Sequence, residues 1–170
     1  MVIGNPYRFS IITEVIDEWN MKGTNFNNGI LLFCIGGEIF QKEIATATLN
    51  SEIPQLKEKL MNITVNEELF NMGKEEAFAK MYDITYLEWE NNDSITGDYR
   101  FYITPQTMED LGCKVFAVSN ADEVRIMSSK LNYITEDSKY DIDNADISEA
   151  FITNDELMQI VLKLDTVFGV

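Results

Sequence analysis

The stretch "ILLFCIGGEIF", residues 30 to 40, decides the fold. A run that is apolar on both faces ends at Gly36-Gly37 and leads directly into a second apolar run. Two glycines in that position make a type I′ or II′ hairpin turn, because such turns demand positive φ and glycine has no Cβ to resist it. A phosphate cradle is the rival reading of paired glycines, but no G-x-G-x-x-G or G-K-[ST] surrounds these. The hairpin commits the chain to antiparallel pairing. Upstream, "YRFSIITEVIDEW" (7–19) alternates as a strand, with Phe9, Ile11, Thr13, Val15 and Asp17 on one face and Ile12, Glu14 and Ile16 on the other.

Beyond residue 50 the period changes. Ile53, Leu56, Leu60 and Ile63 recur at helical spacing, Asn50 or Ser51 can cap the start, and Pro54 falls in the first turn. "NEELFNM" and "KEEAFAKMY" read as two short helical pieces broken at Gly73, with Phe70, Phe78 and Met81 facing the core. Strands return at 84–90 ("ITYLEWE"), 99–104 ("YRFYIT"), 114–119 ("KVFAVS") and 123–131 ("EVRIMSSKL"). The intervening Asn91-Asn92-Asp93, Gly97-Asp98, Gly112 and Asn120-Ala121-Asp122 all favour bends. A last helix carries Leu157, Ile160, Val161, Leu164 and Phe168 on one stripe, capped by Asn154. No repeat or linker divides the chain, so residues 1–170 are expected to form a single α+β domain. Its predicted architecture is a bent, mostly antiparallel sheet of about six strands with the helices near Asn50 and Asn154 packed on it.

Composition excludes more than it identifies. A content of 45% hydrophobic residues supplies a real core for 170 residues. The chain lacks histidine altogether, which removes Ser-His-Asp, Cys-His and His-metal chemistry. Cys34 and Cys113 form no C-x-x-C pair and read as small buried hydrophobes. No apolar window spans a bilayer, and Met1 to Ser10 lacks the basic-then-apolar pattern of a signal peptide, so a cytoplasmic location is expected. The formal net charge of −16 repels nucleic acid and anionic lipid and attracts basic proteins. Neither nucleic acid nor membrane is therefore an expected partner.

The charge concentrates in "TEDSKYDIDNADISEAFITNDE", residues 135 to 156. A calcium loop would need a glycine at its sixth position and a glutamate at its twelfth. Starting at Asp137 puts Ile142 and Ser148 there, and starting at Asp141 puts Ile152 twelfth, so no metal site is expected. Tyr140, Ile142, Ile147, Phe151 and Ile152 anchor the segment to the body and argue against a disordered tail. An ordered acidic connection results, which is either a solvated loop or a partner-binding surface. Its candidate partner-binding residues are Glu136, Asp137, Asp141, Asp143, Asp146 and Glu149. Paired carboxylates can also run glycosidase chemistry, and Trp19 and Trp89 could stack a sugar. However, no second lobe is present to build a cleft, and neither a catalytic residue nor a small-molecule substrate is expected.

Four segments, "GNPYRFSIITEVIDEW", "NNGILLFCIGGEIF", "ATLNSEI" and "RIMSSKL", occur in an order that resembles the bacterial polymorphic-toxin immunity proteins of the immunity protein 42 family, of the contact-dependent inhibition type. The positions carrying the likeness are Gly4, Pro6, Phe9, Glu14, Trp19, Gly29, Gly36-Gly37-Glu38, Thr48-Leu49, Arg125-Ile126 and the final helix. The resemblance implies a small cytoplasmic α+β protein that binds and blocks one cognate toxin domain, with no catalysis and no cofactor. An acidic surface suits a basic toxin, and nuclease toxins are basic because they hold a phosphate backbone. Two other readings stay open: an adaptor or chaperone-like binder of another basic protein, and a carboxylate hydrolase.

Overall fold

The computed structural model describes residues 1–23, 25–40, 42–86, 97–135 and 139–169. Strands β1 (Val2–Gly4), β2 (Phe9–Val15), β3 (Asn28–Ile35) and β4 (Glu38–Phe40) pair antiparallel in chain order, and β5 (Ala47–Thr48) adds to the start of β3. Gly36 and Gly37 sit at φ +60° and +88° between β3 and β4, the two positive values a type I′ turn requires. Phe9, Ile11 and Thr13 of β2 lie in register with Ile35, Phe33 and Leu31 of β3, and all six are buried. The strand stops at Val15, and Asp17–Trp19 instead forms one 3₁₀ turn, which leaves Trp19 partly exposed.

Helices follow as α1 (Leu49–Met61), α2 (Glu67–Asn71), α3 (Lys74–Thr85) and α4 (Gln106–Asp110). The break at Gly73 falls where expected. Helix α1 begins before Asn50, whose amide instead donates to the Asn25 carbonyl at 2.8 Å, so Asn50 holds a loop rather than capping. Pro54 therefore lies inside the helix. Ile84 and Thr85, read as the start of a strand, complete the last turn of α3, while residues 87–90 lie outside the described residues. Residues 99–104 form no strand either. They turn at Tyr99–Tyr102 and then run along a neighbour with a single bridge, Tyr102 to Phe116.

A second sheet is built from β6 (Cys113–Ser119), β7 (Glu123–Lys130) and β10 (Ser148–Thr153), in the order β10-β7-β6 and antiparallel throughout. A small hairpin joins β8 (Tyr133–Ile134) to β9 (Lys139–Tyr140). The strands are thus shared among separate sheets, and the α+β class holds. The last helix, α5 (Asn154–Phe168), is capped one residue earlier than expected: Thr153 Oγ1 accepts from the Glu156 amide and Glu156 Oε2 accepts from the Thr153 amide.

Both faces of β6 and of most of β7 are buried, whereas β10 leaves Phe151 and Thr153 exposed. One face carries Cys113, Val115, Ala117, Val124, Ile126, Ala150 and Ile152. They share a core with β2, β3, α1 and α5. The opposite face carries Phe116, Val118 and Met127, covered by Leu69, Phe70, Ala77, Phe78 and Met81 of α2 and α3. Among the described residues no helix is long and apolar enough to cross a membrane.

Candidate functional site

The acidic stretch lies over the second core, anchored by Ile147 and by partly buried Tyr140, Ile142 and Ala145. Asp143 and Asp146 are exposed. Half-exposed Asp141 turns the chain by accepting from the backbone N–H and side-chain amide of Asn144 at 3.0 to 3.2 Å. Glu136 and Asp137 fall outside the described residues. Glu149 differs from the others. It lies in β10, and its Oε2 accepts from Arg125 Nε and Nη2 at 2.9 and 2.7 Å. Arg125 is 3% exposed, stacks beneath the ring of Phe151 and donates through Nη1 to the carbonyls of Phe70 and Met72 at 3.0 and 2.7 Å. One guanidinium thus joins β7, β10 and the end of α2, with Glu149 as its counter-ion.

A second polar cluster has no counterpart among the residues the sequence singles out. The short helix α4 starts at Pro105, which has no side chain to cap it, and Glu52 of α1 supplies the missing acceptor for the Thr107 amide at 3.1 Å and for its hydroxyl. This fixes the turn that carries Glu109 and Asp110. Glu109 accepts from the phenols of Tyr86 and Tyr102 at 2.9 to 3.0 Å and from the ammonium of Lys114. Lys114 is 1% exposed, and its Nζ sits 4.9 Å from the Tyr86 ring centroid and 4.4 Å from that of Tyr140. Lys59 Nζ stands 4.4 Å over Tyr102 and donates to the Thr104 carbonyl. Burial, then the neighbouring phenol and the Glu109 charge, push the Tyr86 hydroxyl far above its ordinary range. Burial and Glu109 do the same to Tyr102. Both phenols therefore remain donors at any physiological pH. Burial pulls the Lys59 ammonium down, opposed by Glu109 and Glu52.

The sequence offered one signal for this cluster: Tyr82 and Tyr86 are spaced i, i+4 as on a helix. Reading 84–90 as a strand separated them. Among the described residues no group of three carboxylate or thiol side chains is arranged to hold a metal ion.

Helices packed on antiparallel sheets, with an acidic loop over one side, define a small α+β domain. Its backbone matches the crystal structure of CdiI from Burkholderia dolosa AUO158 with a TM-score of 0.76, over 98% of this chain and 99% of that one, at 19% sequence identity. That likeness shows the fold. No curated protein matches the chain in sequence. The family model for immunity protein 42 matches residues 1–167, and the chain belongs to that family. It is an immunity protein, of the class that binds and neutralises a cognate toxin.

Proposed function

We propose that the protein neutralises a basic toxin domain, a nuclease of a contact-dependent inhibition system, by covering it with an acidic face. On this reading it works in the cytoplasm of the producing cell, by binding and without catalysis or cofactor. The observation that carries the proposal is the net charge of −16 in a member of an immunity family, together with the exposed carboxylates of Asp143 and Asp146 beside Asp141. A toxin that grips a phosphate backbone must be basic, and such a surface complements this one. Glu136 and Asp137 extend the same acidic segment in sequence. Glu149 contributes by holding β10 in place through its ion pair with Arg125.

Electrostatics sets chiefly the encounter rate. Replacing Asp141, Asp143 and Asp146 together by Asn is expected to slow association with the cognate toxin domain about tenfold at low salt, and much less at physiological salt. Stability should move by less than about 0.5 kcal/mol, since Asp143 and Asp146 are solvated and an Asn at 141 still accepts from the Asn144 amide. Stopped-flow association and protection of toxin-expressing cells check this. Unchanged rate and protection would reduce the segment to a solvated loop.

A further inference from the structure

Six of the chain's seven tyrosines, Tyr82, Tyr86, Tyr99, Tyr102, Tyr133 and Tyr140, lie in one run across the side of the molecule that the acidic loop covers. Tyr82 stacks on Tyr86 at 4.6 Å between centroids. Tyr86 meets Tyr102 edge-on at 6.3 Å, and Tyr102 meets Tyr99 at 5.8 Å. Lys114 Nζ lies between Tyr86 and Tyr140, and Tyr140 meets Tyr133 at 5.3 Å. The phenylalanines Phe78, Phe101 and Phe116 fill the core beneath. Tyrosine has thus been placed where one end of the ring is dry and the other wet, the position in which aromatic side chains serve as interface anchors.

The inner and outer members of the run differ. Tyr86, Tyr102 and Tyr140 already hold the chain's own ammonium groups on their faces, and the first two are pinned by Glu109. Tyr99 and Tyr133, two of the three ends of the run, are 59% and 55% exposed. Each is propped edge-on by a partly buried ring, so little side-chain freedom remains to be lost on binding. The surroundings of the Tyr133 end are negative, since Asp141 and Asp143 follow Tyr140, whereas Asp98 beside Tyr99 is already paired with Arg100, its Oδ2 accepting from Nε and Nη2 at 2.6 Å. A ring face in a negative field, beside carboxylates, favours a cation.

We propose that Tyr99 and Tyr133 are the anchors of the toxin interface, each stacking on an arginine or lysine side chain that a basic partner presents, with Asp141 and Asp143 completing the charge pairing at Tyr133. This rests on the toxin-binding reading above and adds to it where the affinity resides. The acidic residues bring the partner in, and the tyrosines hold it. The two roles separate kinetically, because charge on the rim governs association and desolvated anchors govern dissociation.

The test uses the full chain and its cognate toxin domain, inactivated, with association and dissociation rates measured at physiological salt. Tyr99→Ala and Tyr133→Ala are each expected to raise Kd about tenfold and together about a hundredfold, almost entirely through faster dissociation. Tyr99→Phe and Tyr133→Phe keep the ring face and should stay within about threefold of the parent. Tyr7→Ala, the exposed seventh tyrosine outside the run, should change nothing. Thermal unfolding of each variant should match the parent, which separates a contact from a folding defect. Unchanged dissociation in Y99A and Y133A, while the Asp-to-Asn variant still slows association, overturns the anchor assignment and leaves the toxin-binding reading intact. No binding by the parent chain overturns both.

Discussion

One face of the sheet formed by β6, β7 and β10 presents Val115, Ala117, Val124, Ile126 and Ile152 to the larger core, whereas the other sets Phe116, Val118 and Met127 among two buried cations, Lys114 and Arg125. In β6 and β7 both faces are inaccessible, and they solve different problems. The apolar face needs only complementary volume, and it binds the two sheets, α1 and α5 into one body. The other face must desolvate charge, which is tolerable only because each cation meets a carboxylate and further partners: Glu109 and two rings for Lys114, Glu149 and carbonyl oxygens for Arg125. Those partners have fixed geometry, so they set in place the segments that cover them: α4, β10 and the loop bearing Asp141 to Asp146. The surface proposed for toxin binding lies over this polar-laced face, where position is specified by directional bonds.

The largest expected effect lies on the apolar face. Ile126 is wholly buried, and Ile126→Ala should cost about 3 kcal/mol, since the deleted methylenes lose their transfer energy and leave a cavity between two sheets. Chemical denaturation at neutral pH measures it. A loss under about 1 kcal/mol would mean that this face repacks freely and is not the rigid half.

Next comes Arg125. Arg125→Met fills a similar volume but leaves the Glu149 carboxylate and the carbonyls of Phe70 and Met72 without their donor, a destabilisation of about 2 kcal/mol. Glu149→Gln should cost less, about 1 kcal/mol, because Glu149 is partly exposed and Gln still accepts a hydrogen bond. The pair should be strongly non-additive in a double-mutant cycle. Additive losses would show that Glu149 is not the counter-ion and would return it to the free acidic surface.

The smallest of these effects is a pH dependence confined to the tyrosine cluster. Tyr86 and Tyr102 are held above the ordinary phenol value of 10.0, by burial first and then by neighbouring phenol and carboxylate charge. Above pH 10 the unfolded chain releases phenol protons that the folded chain keeps, so their contribution is full below that point and is lost as pH climbs past it. Lys59 opposes the loss, because its buried ammonium deprotonates earlier in the folded state than in the unfolded one. Denaturation from about pH 8 to about pH 11 should show declining stability, with a shallower decline in the Tyr86→Phe, Tyr102→Phe double variant. Identical slopes would remove the tyrosines from the balance.

The two faces were not equally legible in the sequence. Strands β3, β4, β6 and β7 and the stripes of α1 and α5 were readable because apolar periodicity reports the burial of one face, and Gly36-Gly37 announces its own turn. The polar-laced face carries no such period. Lys114 and Arg125 sit inside strands where only their alternation with Val115 and Ile126 shows which side they take, and their partners Glu109 and Glu149 come from elements read as turn or loop. Strand β10 was read as acidic connection because Ser148, Glu149 and Thr153 mask the alternation of Ala150 and Ile152. The cap of α5 was misplaced by one residue because both Thr153 and Asn154 are good caps, and only Glu156 three residues beyond Thr153 decides between them. Of the candidate site, Asp143 and Asp146 are exposed as their sequence implied, whereas the tyrosine run depends on contacts between residues far apart in the chain.

The central claim, that the polar-laced side is the toxin-binding side, is tested most directly by amide hydrogen exchange of the free chain against its complex with the inactivated cognate toxin domain. The account predicts new protection in peptides covering residues 97–102 and 133–146, with β1 to β4 unchanged. Protection confined to β1 to β4 or to α5, with residues 133–146 exchanging as in the free chain, would contradict it.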